Sequence, residues 1–168
     1  MIRFVLACLL IGCNAADDDD DESSGDLPAD PDAAEYVQTH NDIRAGVGVG
    51  PLSWDDEVAL SALGWAEDLA ADNCAFEHES QQTYGENLWW SSYEPQPAEV
   101  VNAWASEVAY YDYDSNTCEA GQMCGHYTQV VWADTEVVGC GATTCSDGSV
   151  IVNCRYDPPG NWVGERPY

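Results

Sequence analysis

Six cysteines (Cys74, Cys118, Cys124, Cys140, Cys145 and Cys154) fall within one stretch of the chain, and they limit the folds open to it more than any other feature. An even set in an exported chain implies a disulfide framework, which needs an oxidising compartment. No pair has the C-x-x-C spacing of a zinc ribbon, so shared cysteine zinc is the weaker alternative. Six cysteines admit many connectivities, and spacing alone does not choose among them. One pair has local support. Val137–Ala142 and Ser149–Tyr156 read as strands flanking Asp147-Gly148, a hairpin turn signal. A hairpin centred near Asp147 sets Cys140 opposite Cys154.

The N-terminus explains the other two cysteines. Arg3 followed by the apolar run Phe4–Ile11 has the form of a signal peptide and is too short to cross a bilayer as a helix. Leu10-Ile11-Gly12-Cys13 has the form of a lipobox, so cleavage after residue 12 would leave Cys13 to carry lipid. Two or more acyl chains anchor a protein stably. An ordinary signal cleaved nearby, giving a secreted protein, is the alternative. Residues 13–32 read as an acidic tether, with five consecutive aspartates (Asp17–Asp21) and little apolar surface to offset ordering. The aspartate run lacks the spacing and turn glycine of a calcium loop.

Residues 33–168 form one domain by length and hold all seven Trp and nine Tyr. Nine of the chain's 31 acids lie in the tether, which leaves 22 in the domain against Arg44, Arg155 and Arg166, with no lysine anywhere. Such a surface repels phosphate backbones, which excludes nucleic-acid partners. Helices are expected over Ala33–Ala45 with Asp32 as N-cap, over Asp55–Asp72, from Pro97 to about Tyr111, and over Gly125–Trp132. The apolar positions assigned to the second include Val58, Leu60, Leu63 and Leu69, and to the third Val100, Val101, Trp104 and Val108. With strands at Asn87–Ser91 and in the hairpin, the expected class is α+β with a mainly antiparallel sheet.

Four stretches carry a family resemblance: His40-Asn41-Asp42-Ile43-Arg44, Gly85-Glu86-Asn87-Leu88, Gly125-His126-Tyr127-Thr128-Gln129-Val130-Val131-Trp132, and Ile151 to Trp162 around Asn153-Cys154-Arg155-Tyr156. In order and with the six-cysteine spacing, they resemble the CAP superfamily of cysteine-rich secretory, antigen 5 and pathogenesis-related class 1 proteins. The plant pathogenesis-related class 1 proteins are most similar, here in the form of a bacterial lipoprotein. The resemblance implies a three-layer α-β-α sandwich and the pairings Cys74–Cys145, Cys118–Cys124 and Cys140–Cys154. It also implies a cleft lined by His78, Glu86, Glu107 and His126. His78 is placed by its distance from Cys74, with Glu77 and Glu79 as neighbours.

Two imidazoles and two carboxylates could hold a divalent transition metal such as zinc, with His78 and His126 as direct ligands. They could equally form a buried polar network that orders the cleft. His40, Asn41 and Arg44 are expected to pin the first helix by hydrogen bonding. Of Trp89 and Trp90, alternation on a strand sends one to the core and the other to another layer or solvent. Three functions follow. The first is an exported, membrane-anchored module that binds a small lipid, sterol or peptide. The second is a metal-dependent hydrolase or peptidase with Glu86 or Glu107 as base. The third is a cell-surface interaction protein. No G-x-S-x-G or H-E-x-x-H motif supports the enzyme.

Overall fold

A computed structural model describes residues 28–80 and 83–168. The signal segment, Cys13 and the tether up to residue 27 lie outside the described residues. The first helix begins earlier than expected. Helix α1 spans Pro31–Val47, and Asp30, rather than Asp32, caps it by accepting from the N–H groups of Asp32 (2.9 Å) and Ala33 (3.0 Å). Pro31 suits the first turn because its missing N–H would have no helical partner there. Gly48 ends the helix at φ 80°, a left-handed conformation that favours glycine.

The remaining elements are β1 (Ser53–Trp54), α2 (Asp56–Ala71), β2 (Gly85–Ser91), α3 (Pro97–Ala105), a 3₁₀ turn (Ser106–Tyr110), β3 (Tyr111–Asp112), β4 (Thr117–Cys118), α4 (Gly125–Val130), β5 (Val137–Thr144) and β6 (Val150–Asp157). The main sheet has the order β1-β5-β6-β2; only β1 and β5 run parallel, and the other pairs are antiparallel. Helix α2 covers one face. Helices α1, α3 and α4 cover the other, which gives the α+β three-layer sandwich expected from the sequence.

Strand alternation divides the core. Val150, Val152, Cys154 and Tyr156 of β6 pack with Tyr36, Val37, Val100, Trp104 and Val130 on the α1/α3/α4 side. Ile151 packs with Ala66, Leu69 and Leu88 on the α2 side. Gly139 and Gly141 of β5 lie against the α2 backbone; a Cβ on Gly141 would meet Leu63 Cα at 2.5 Å, so α2 approaches this strand only because the side chain is absent. The structure contains the bridges Cys74–Cys145, Cys118–Cys124 and Cys140–Cys154. Cys140 faces Cys154 in the hairpin register, as its spacing about Asp147 implied. Closing the 71-residue separation between Cys74 and Cys145 stabilises the fold by about 3–5 kcal/mol on a chain-entropy basis.

Several expectations need correction. Leu60 is 68% exposed, so the buried stripe of α2 runs through Val58, Ala62, Ala66 and Leu69. The third helix becomes a 3₁₀ turn at Ser106, and Val108 is 48% exposed. The reason is Glu107, whose carboxylate is held by the start of α4, as described below. Strand β1 and the β3–β4 ribbon have only two residues each, too few for a sequence period.

The first helix is pinned from inside. Arg44, 1% exposed, donates to the carbonyls of Gly50, Val130, Trp132 and Thr135, and Asn41 bonds both the N–H and the C=O of Leu52. His40 is fully buried; its Nδ1 lies 2.8 Å from the Tyr36 carbonyl and its Nε2 2.9 Å from the Tyr156 hydroxyl. Burial pushes the His40 pKa down to about 4. An unfolded histidine titrates near ~6.5, so the unfolded chain binds the extra proton between the two values. The stability this group supplies is complete above ~6.5 and is lost as pH falls towards about 4, a decline of roughly 3 kcal/mol. His40→Gln keeps a donor and an acceptor but does not titrate. Urea unfolding at several pH values should show it less stable than wild type at pH ~7 and visibly flatter below ~6.5. Parallel pH profiles for the two proteins would contradict this assignment.

Candidate functional site

Consecutive residues of β2 build the two halves of the cleft. Glu86 and Asn87 sit opposite Arg155 and Cys154 of β6, and successive side chains on a strand point to opposite faces. Glu86 therefore serves the α2 side and Asn87 the α1/α3/α4 side.

On the α2 side, Glu86 Oε1 lies 2.6 Å from His78 Nδ1 and 3.4 Å from the Glu79 N–H. Its Oε2 accepts from Asn153 Nδ2 at 3.2 Å and lies 3.6 Å from the Arg155 guanidinium, which also pairs with Glu79. Asn153 and Arg155 are themselves tied to α2 through the Ala62 carbonyl and the Ser61 hydroxyl. His78 follows α2 and Cys74, so the Cys74–Cys145 bridge fixes the loop that carries it. The hydrogen bond from Glu86 raises the His78 pKa above the ordinary value, against the opposing effect of partial burial.

On the other side, Glu107 projects from the 3₁₀ turn. Its Oε2 accepts the N–H groups of His126 (3.0 Å) and Tyr127 (3.2 Å), and its Oε1 lies 2.6 Å from His126 Nδ1. One carboxylate thus satisfies two first-turn amides of α4 and orients the ring. The Trp104 ring stacks on His126 with centroids 6.1 Å apart, and Trp104 Nε1 donates to the Leu88 carbonyl. Asn87 Nδ2 donates to the His126 carbonyl at 3.1 Å and to the Tyr156 hydroxyl at 3.2 Å. Through Tyr156 the site connects to His40 and the first helix.

The four tetrad side chains thus form two separate pairs, His78–Glu86 and His126–Glu107. Both histidines border one cavity of about 240 Å³, with Glu86, Asn87, Met123 and Asn161. Each carboxylate occupies an Nδ1, so the neutral ring donates there and keeps its lone pair on Nε2. Among the described residues neither Nε2 has a hydrogen-bond partner. Glu79, a neighbour of the first histidine, belongs to the Arg155 pair, and the Glu77 carbonyl accepts from Trp65 Nε1. Reading the residues for ligands alone missed Asn87, Asn153, Arg155 and Trp104. The alternation of Glu86 and Asn87 within one short strand was the available signal for the first of these.

Two neighbouring spaces extend the cleft. One of about 480 Å³ is bordered by His78, Tyr84, Glu86 and Trp162, and another of about 280 Å³ by Phe76, Trp90, Trp104 and His126. Trp90 is 48% exposed, whereas Trp89 packs against the core. Among the described residues, the one group of three metal-ligand types whose ligand atoms lie within 4.8 Å of one another is Cys74, Cys145 and Asp147; the tetrad stays as two separate pairs. The two sulfurs of the cysteine group are joined to each other, so they offer no thiolate to a metal.

The profile of the CAP family, described as the cysteine-rich secretory protein family, matches residues 37–156. Pathogenesis-related protein 1C of Nicotiana tabacum is 52% identical over 135 residues, covering 80% of this chain and 79% of the relative. Pathogenesis-related protein 1 of Arabidopsis thaliana is 47% identical over 134 residues, covering 80% and 81%. Among solved structures, NaASP2 with Zn2+ is similar at 25% identity and TM-score 0.66, covering 80% of this chain and 83% of that one. Schistosoma mansoni venom allergen-like protein 4 is similar at 26% identity and TM-score 0.61, covering 80% and 91%.

The Glu86 contact has a direct consequence for titration. In an NMR pH series, the His78 ring should titrate above the ordinary ~6.5 of a free histidine. Glu86→Gln should bring that midpoint down while the His40 signals stay in place. An unchanged His78 midpoint in the variant would show that Glu86 does not set it.

Proposed function

The chain belongs to the CAP (cysteine-rich secretory protein) family, and from that premise we propose that it is an extracytoplasmic binding module whose His/Glu cleft holds a late transition-metal ion beside a small lipid or peptide ligand. The observation that carries this reading is the free Nε2 of two imidazoles on one cavity, each with its Nδ1 held by a carboxylate. A carboxylate on Nδ1 is the usual outer-shell support of a metal-binding histidine, since it fixes the tautomer and raises ring basicity. Imidazole donors suit zinc or copper better than magnesium. The similar NaASP2 structure is one with Zn2+. The aromatic space formed by Phe76, Trp90 and Trp104 next to His126 suits an apolar ligand group.

Binding is favoured over hydrolysis by what the glutamates already do. Glu107 accepts three hydrogen bonds, and Glu86 accepts from His78, Glu79 and Asn153. Both act as positioning groups, which leaves no idle carboxylate to serve as a general base. The three disulfides suit an oxidising, extracytoplasmic setting. We place the lipid anchor on Cys13, outside the described residues, with residues 13–32 leading to the domain.

Calorimetry with zinc tests the cleft. Zinc should bind more tightly than magnesium, and its affinity should fall as pH drops and the imidazoles protonate. His126→Ala should lose at least roughly tenfold in zinc affinity while keeping its near-UV circular dichroism. Equal zinc affinity in the two proteins would remove His126 from the site, and a variant that unfolds would favour a purely structural network. Separately, Cys13→Ala should release the full-length protein from membranes and abolish metabolic lipid labelling. Unchanged membrane partition would contradict the anchor.

A further inference from the structure

A cavity of about 680 Å³ contains no tetrad residue and lies at the opposite edge of the sheet. Strand β1 pairs only with Val137 and Val138 of the eight-residue β5. Within that short pairing, the Ser53 N–H donates to the Glu136 carbonyl (3.0 Å) and the Asp55 N–H to the Val138 carbonyl (3.1 Å). The backbone groups of residues 136 and 138 therefore face this edge. Because strand geometry repeats every two residues, those of Cys140, Ala142 and Thr144 face it too. No strand pairs with this stretch among the described residues, and the cavity is bordered by Cys140, Gly141 and Ala142. It is a row of open donors and acceptors set between two helical layers.

The two walls differ in chemistry. The α1/α3 side carries the carboxylates of Asp30, Asp32 and Glu94 among apolar groups such as Tyr36 and Pro97; the α2 side carries Ala59, Leu60 and Leu63, with the Asp56 carboxylate at its start. Leu60 is the large apolar residue of α2 left in solvent, and the cavity explains where it points: it borders this groove. A strand added to β5 would send alternate side chains to the two walls. One set would meet the acidic groups of the α1/α3 side and the other mainly the aliphatic carbons of α2.

We propose that the open edge of β5 is a second binding site, which takes an extended peptide of alternating basic and aliphatic residues as an added strand. The backbone ladder supplies affinity without sequence preference, and the two walls supply the pattern. The like charges of Asp30, Asp32, Asp56 and Glu94 on every copy oppose edge-to-edge pairing of the chain with itself, one way in which proteins protect an open edge. The site is separate from the His/Glu cleft and does not depend on the reading of that cleft.

The test uses the full-length chain and the hexapeptide acetyl-Lys-Val-Lys-Val-Lys-Val-amide. Binding should saturate and weaken with added salt. It should slow amide exchange at Cys140, Ala142 and Thr144 by about tenfold or more. The same peptide N-methylated at alternate residues should lose both effects, as should a Glu-Val hexapeptide. Asp32→Asn combined with Glu94→Gln should weaken binding severalfold. Four results would overturn the proposal: equal binding of the N-methylated or the Glu-Val peptide, slowed exchange confined to the His78–His126 cleft, undiminished affinity in the Asp32/Glu94 variant, or an edge already protected by self-association without peptide.

Discussion

The alternation of two adjacent side chains on β2 organises the rest of the molecule. Glu86 points to the α2 face and gathers His78, Asn153 and Arg155; Asn87 points to the other face and holds the His126 carbonyl and Tyr156. A one-residue slip of β2 against β6 would exchange these roles and bury the wrong groups. The register is fixed by the apolar pattern on both faces, with Leu88 on one and Trp89 on the other. The Cys140–Cys154 bridge locks the adjoining hairpin. Buried polar chains of this kind stabilise only when each member is satisfied. The path from His126 through Asn87, Tyr156 and His40 to the Tyr36 carbonyl has a partner at every step.

All three arginines of the domain are engaged with the chain itself. Arg44 ties four carbonyls together in the interior, and Arg155 bridges Glu79, Glu86 and α2. Arg166 donates to the carbonyls of Tyr113 and Asp114 and lies over the Tyr113 ring. Among the described residues every arginine holds backbone or a cleft carboxylate in place, so the other formal charges of the domain are carboxylates.

Much of this was legible in the chain. The hairpin around Asp147-Gly148 fixed the Cys140–Cys154 register, and the caps and apolar spacing placed α2 to within a residue at each end. The resemblance pointed to four residues that the structure brings together as the pairs His78–Glu86 and His126–Glu107. Harder to read were features set by contacts distant in sequence. The 3₁₀ turn at Ser106 exists because Glu107 is drawn to the amides of His126 and Tyr127, some twenty residues away. The Asp30 cap was hidden among acids of similar capping ability. Leu60 fits the helical period of α2 and yet faces an edge groove, because β1 stops after two residues and leaves that wall uncovered.

The central physical point is that an oxygen acceptor at Nδ1 sets each imidazole, so that His78 and His126, which border one cavity, carry their lone pair on Nε2 when neutral. The chain has only three histidines, and all three have Nδ1 against an oxygen. A long-range proton–nitrogen correlation spectrum, recorded at a pH where the rings are neutral, reads the tautomers directly. The expected result is three Nδ1–H rings, with the Nε2 of His40 alone shifted by the Tyr156 hydroxyl that donates to it. An Nε2–H tautomer at either His78 or His126 would contradict the claim.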